Sequence, residues 1–243
     1  MRRRIAVCTL LAAAIGAPAA ALAQTDAGFN QRCYGTGIGS PDMTIDACTG
    51  VIAGGLVDRK DLSAAFKARG NAYNDKGEYD SAIDDYGHAV AVNPADGGVF
   101  NDRGAAYSAK GQYALSILDY DRALALEPEN AMALSNRCFA KAVMGQLAEA
   151  LVDCNESLRL RPGNSNTLAS RGFANLKLGR SEAAIADYDA EIQLNPGNSY
   201  TLYGRGIGKH LKGDLPGGNA DMAAATKINS GIAEAMAKLG VRL

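Results

Sequence analysis

Apolar and polar positions along this chain fall into blocks of repeated length. VFNDRGAAYSAK at 99–110 is a helix-compatible run that stops at Gly111, a residue suited to a helix C-terminus. ALSILDYDRALAL at 114–126 then carries Ile117, Tyr120 and Leu124 at helical spacing. Pro128 ends that run, because its ring excludes the helical conformation from the residue before it. The pattern predicts a hairpin of two antiparallel helices. Neither can bury its apolar face alone, so neighbouring hairpins must stack.

The block recurs with a period of 34. Pro94, Pro128, Pro162 and Pro196 share one register, as do Gly77, Gly111, Gly145, Gly179 and Gly213. So do Arg69, Arg103, Arg137, Arg171 and Arg205, and with them Asp85, Asp119, Asp153, Asp187 and Asp221. Small residues recur at Gly70, Gly104, Gly172 and Gly206 and at Ala82, Ser116, Ala150, Ala184 and Gly218, and an aromatic at Tyr86, Tyr120 and Tyr188. Units at 63–96, 97–130, 131–164, 165–198 and 199–232 resemble tetratricopeptide repeats (TPRs). The resemblance implies an all-α, right-handed solenoid of stacked helical hairpins. Two departures stand out: the arginine occupies a position that is usually apolar in the family, and the fifth unit has Pro216, Gly217 and Gly218 in its second helix and no closing proline.

Antiparallel helices bring together positions equidistant from their turn. The Gly and Tyr positions therefore face each other, and in the third unit both are cysteine, Cys138 and Cys154. Paired replacement of Gly–Tyr by Cys–Cys predicts a disulfide across that hairpin, against the alternative of two free buried thiols. QRCYG at 31–35 resembles NRCFA at 136–140, and TIDACTGVIAGG at 44–55 has the look of a second helix. A degenerate half-repeat or cap at 24–62, closed by Cys33–Cys48, is expected; loops of this size give roughly 3 kcal/mol. By the same geometry Arg69–Asp85, Arg103–Asp119, Arg137–Asp153, Arg171–Asp187 and Arg205–Asp221 are expected to form a ladder of partly buried ion pairs. Arginine suits this role because its planar fork holds a carboxylate bidentately. Five copies of one pair point to framework rather than catalysis.

The first residues read differently. Arg2, Arg3 and Arg4 precede IAVCTLLAAAIGAPAAALA, a run too short and Ala-rich for a membrane span, and Ala21-Leu22-Ala23 fits a small-x-small cleavage rule. Residues 1–23 are therefore expected to be a cleaved signal peptide, with an uncleaved anchor as the alternative, and the mature chain to be periplasmic or secreted. No membrane insertion after cleavage is expected. Export also changes how Cys33, Cys48, Cys138 and Cys154 are read, since disulfides persist in oxidising compartments.

Composition narrows the function further. The 243 residues are 47% hydrophobic and 21% charged, enough to bury a core, and the formal net charge of −1 with no Trp argues against nucleic acid. The two histidines, His88 and His210, lie on different units, and no metal-ligand spacing is present. GTGIGS at 35–40 follows no strand, which leaves a phosphate-loop reading weak. No enzyme, metal or cofactor is expected.

What remains is surface shape. The resemblance implies a concave face lined by the first helix of each hairpin. Its N-terminal half would be polar, with Lys67, Asn71, Asn74 and Asn101, and its C-terminal half apolar and aromatic, with Met132, Phe139, Phe173, Leu176, Tyr200, Tyr203 and Ile207. Lys67 and Asn71 also match two places of the clamp by which one family subtype holds C-terminal carboxylates, but Asp102 and Met132 break it. A helix at 233–243 is expected to cap the last exposed face, with a partner-binding or dimerisation tail as the alternative. The reading is an exported protein-interaction scaffold that binds a peptide or helix in the groove, in cell-envelope assembly or secretion by resemblance to exported bacterial TPR proteins. The alternative is a receptor for a small ligand or cell-wall fragment inside the superhelix.

Overall fold

Helix boundaries follow short local signals that repeat with the units. Asp96, Asn130, Asn164 and Asn198 each cap the helix that follows, their side-chain oxygens accepting from backbone N–H groups of the first turn. At the inner turns Gly77, Gly111, Gly145, Gly179 and Gly213 adopt φ between 72° and 86°, the left-handed conformation that closes a helix where a side chain would be strained.

In this computed structural model, which describes residues 33, 39–55 and 57–242, the described residues form twelve helices and no strand. They are α1 (Pro41–Gly54), α2 (Arg59–Asp75), α3 (Tyr79–Val92), α4 (Gly97–Ala109), α5 (Tyr113–Leu126) and α6 (Ala131–Val143). Then come α7 (Leu147–Leu160), α8 (Ser165–Lys177), α9 (Ser181–Leu194), α10 (Ser199–Leu211), α11 (Leu215–Ile228) and α12 (Ile232–Lys238). The signal peptide expected at 1–23 lies outside the described residues.

Helices α2 to α11 pair as antiparallel hairpins, and each second helix packs on the first helix of the next hairpin. The first helices α4, α6, α8 and α10 lie side by side and form the inner face. The result is an all-α solenoid. Helix α2 begins at Arg59, ahead of the expected unit start at 63, because Asp58 caps it by accepting from the Asp61 N–H at 2.8 Å. Helix α11 forms despite its proline. Pro216 sits in the first turn, where no intrahelical donor is lost, and Asp214 caps the helix by accepting from Gly217 N.

Close helix approach explains the small residues. A Cβ at Gly70, Gly104 or Gly172 would come within 2.7–2.8 Å of Cε1 of Tyr86, Tyr120 or Tyr188, so each tyrosine ring lies flat against a bare backbone. In the α6/α7 hairpin that contact is replaced by the Cys138–Cys154 disulfide, with Cα atoms 5.4 Å apart. Cys33 and Cys48 are joined likewise at 4.8 Å, fastening α1 at the N-terminal end of the stack. In the last hairpin Gly218 and Gly206 face each other; a Cβ at Gly218 would lie 2.7 Å from Gly206 O.

Candidate functional site

Beside the inner face, at the contact of the two helices in each hairpin, runs the charge ladder. Arg69 donates from Nε and Nη2 to both Asp85 oxygens at 2.7 Å, and Arg103 does the same to Asp119. Arg137 grips Asp153, Arg171 grips Asp187 and Arg205 grips Asp221, at 2.6–3.1 Å. The remaining nitrogen, Nη1, reaches back to the preceding helix: Thr49 from Arg69, Asp121 from Arg137, Asn155 from Arg171 and Asp189 from Arg205. Gly87 takes that place opposite Arg103, where a Cβ would lie 4.0 Å from Nη1. Each of the other four arginines thus ties three helices together. Lys141 and Lys209 add a second cation to Asp153 and Asp221. Burial opposes the charge on Asp221, yet its hydrogen bonds from Arg205 and Lys209 hold the carboxyl below its ordinary range.

The inner face itself holds a cleft of about 650 Å³. Its aromatic wall comes from three successive hairpins: the Tyr113 and Phe139 rings meet edge-on at 6.2 Å, and Phe139 leans on Phe173 at 6.0 Å. Tyr200 also lines the cleft, as do Asn136, Asn166 and Ser170 with their amide and hydroxyl groups. Tyr120 and Tyr188 reach the floor from the helix contacts, and burial pushes the Tyr120 phenol up to about 12 and raises that of Tyr188, so both remain neutral donors. Ser135 also lines the cleft, its hydroxyl buried without a hydrogen-bond partner.

The residues expected to form the groove separate into three groups. Met132 and Tyr200 are open to solvent, at 53% and 45% exposure, and Phe139 and Tyr203 are half-buried. Phe173, Leu176 and Ile207 are instead buried, in one apolar cluster with Ile232, Met236 and Val241. The expected open apolar face is corrected there. Helix α12 and the turn after it fold over the first helices α8 and α10, covering side chains whose helical position had made them look free. Asn101 is buried too; it donates to Asp102 and accepts from Asn136, and so serves the framework between α4 and α6.

At the polar end, Lys67 lies 3.7 Å from Asp96 and 3.8 Å from Asp102. Asn71 accepts from the Tyr86 hydroxyl at 2.7 Å, and Asn74 is half-buried. Burial raises the Asp102 carboxyl above its ordinary value, while the Lys67 charge opposes the shift. Lysine and asparagine are therefore both engaged with neighbours. Tyr113 and Asn136 were not singled out in the sequence, Tyr113 because it starts a second helix. An aromatic two residues after the turn glycine Gly111 was the available signal. Among the described residues no group of three or more His, Cys, Asp or Glu could hold a metal ion. No helix among them is long and apolar enough to cross a membrane.

Comparison with known proteins agrees with the architecture. A TPR repeat model matches residues 70–111, and a tetratricopeptide repeat model matches 98–130. No curated protein sequence matches the chain. A TPR protein from Parabacteroides merdae superposes with a TM-score of 0.70 at 15% identity, covering 88% of each chain. MamA from Desulfovibrio magneticus gives a TM-score of 0.60 at 15% identity over 72% of this chain and 97% of its own. YrrB, described as a TPR protein with an unusual peptide-binding site, gives 0.57 at 17% over 76% and 94%. The chain carries tetratricopeptide repeats, matched by family models across residues 70–130, and folds as the solenoid these structures share.

Proposed function

We propose that this protein is an exported scaffold whose inner cleft holds a peptide or short helix of a partner protein. The observation that supports it is the run of rings from Tyr113 through Phe139 to Phe173, in a cleft that Tyr200 and the Asn136 and Asn166 amides also line. Rigid aromatic anchors next to adaptable polar groups are the chemistry of peptide recognition. The fold it shares with YrrB is one that carries a peptide site in that protein. Two disulfides are those of a chain that folds outside a reducing compartment, and with the basic and apolar leader they favour periplasmic or secreted localisation. A role in envelope assembly or secretion follows from the resemblance to exported bacterial TPR proteins.

A second reading has one observation in its favour. The partnerless Ser135 hydroxyl in a cleft lined by aromatic rings also suits a small polar ligand such as a cell-wall fragment. The experiment compares wild type with Phe139→Ala/Tyr200→Ala, two rings that are not fully buried. The double variant is expected to lose at least tenfold in affinity for a captured partner peptide while keeping its helical circular dichroism. Unchanged capture would refute the peptide reading. Thermal stabilisation by muropeptides, with no protein partner, would favour the second.

A further inference from the structure

Helix α12 has only seven residues, too few to hold as a helix alone, so its shape is supplied by what it rests on. It presents Ile232 and Met236, four residues apart on one face, and Gly240 at φ +83° turns the chain so that Val241 follows them inward. All three are buried with Phe173, Leu176, Leu202 and Ile207. Lys177 fastens the seat from below: its Nζ donates to Ala142 O, Val143 O and Leu239 O at 2.9, 3.2 and 3.4 Å, tying the end of α6 to the turn after α12. Ala233 and Glu234 are exposed, and Glu234 pairs with Lys238 at 2.8 Å. The segment begins in the register of a sixth first helix and touches α10 and α11, but it ends after seven residues and no second helix follows it among the described residues. It lies across the inner face, and Ala235, Met236, Lys238 and Leu239 form one wall of the cleft.

Ile232–Val241 therefore has the form of a bound peptide: an amphipathic turn of helix, two apolar anchors four residues apart, and a third after a glycine turn. We infer that it is a built-in occupant of the inner face, and that the partner is a peptide helix with the same spacing of apolar anchors, which displaces it. This inference rests on the peptide reading above and adds to it the ligand's chemistry and a closed resting state. A tether this short gives the attached segment a millimolar-range local concentration, so an outside peptide binds at reduced apparent affinity until the segment is dislodged.

The test uses the full chain and a fluorescein-labelled peptide of residues 229–242, NSGIAEAMAKLGVR, read by anisotropy. The variant Ile232→Asp/Met236→Asp cannot seat its own segment and is expected to bind the peptide at least tenfold more tightly than wild type. Leu118→Asp, on the opposite surface, should behave as wild type. Equal affinity for wild type and double variant, or no binding by a variant with wild-type circular dichroism, overturns the inference. A double variant that sediments as a dimer overturns it in favour of a second copy as occupant. If the double variant does not fold, Lys177→Met replaces it. Faster hydrogen exchange confined to residues 232–241, with tighter peptide binding, supports the inference, and unchanged exchange overturns it. Peptide binding abolished by Phe139→Ala/Tyr200→Ala but indifferent to the state of α12 would leave the peptide reading standing and remove only this one.

Discussion

A methyl group added at Gly172 would meet the Tyr188 ring at 2.7 Å, and Tyr188 is itself buried with no room to retreat. Gly172→Ala is expected to cost about 1–3 kcal/mol, measured as a lower urea midpoint at unchanged slope. The ladder invites two further substitutions. Asp153→Ala leaves Arg137 and Lys141 without their shared acceptor and is expected to cost about 2–3 kcal/mol, part of the buried-pair penalty being relieved by solvent at the arginine. Gly87→Asp places a carboxylate opposite the free Nη1 of Arg103 and removes a glycine from a helix, so a gain of about 0.5–1 kcal/mol is expected in the same titration. At Asp102 the sign depends on pH. Its carboxyl titrates above the ordinary value in the fold, so its contribution favours folding in acid and is lost as pH rises through the folded value. Asp102→Asn should therefore melt at a higher temperature than wild type near pH 7, with the difference closing on acidification. A variant less stable than wild type near pH 7 would show that the Lys67 attraction outweighs the burial.

At the scale of elements, the hairpin made by α6 and α7 is the informative one, because it uses a different joint from its neighbours. Cys138 and Cys154 stand where Gly and Tyr stand in the hairpins on either side. Cys138→Ser/Cys154→Ser should lose about 3 kcal/mol, whereas Cys138→Gly/Cys154→Tyr rebuilds the neighbouring contact and should recover most of it without a covalent bond. Equal losses in the two variants would mean that the third hairpin has diverged beyond that contact. This joint was legible in the sequence because the hairpin register puts the same two positions in contact five times over, so a paired exception is visible. The ladder was legible for the same reason. Its Nη1 bonds to the preceding helix were not, since the register position of Asp121, Asn155 and Asp189 is Gly87 in the first unit, and Thr49 lies outside the register.

For the whole molecule the sequence states which side of each helix faces inward but not what lies above it. Phe173, Leu176 and Ile207 occupy inner-face positions, and the turn before α12, where Asn229 accepts from Gly231 N, repeats the one in which Asn93 accepts from Ala95 N; what differs is the seven-residue helix that follows it. The proposed binding surface is accordingly smaller and more aromatic than the helix positions alone imply, centred on Phe139 and Tyr200. The central claim is that partners bind this inner face and not the outer one. Its most direct measurement is site-specific photo-crosslinking in native cells, with benzoylphenylalanine placed either at Tyr200, 45% exposed on the inner face, or at Val152, 68% exposed on the second helix of the third hairpin. The account expects a discrete protein adduct from position 200 and none from position 152; an adduct from position 152 alone would contradict it.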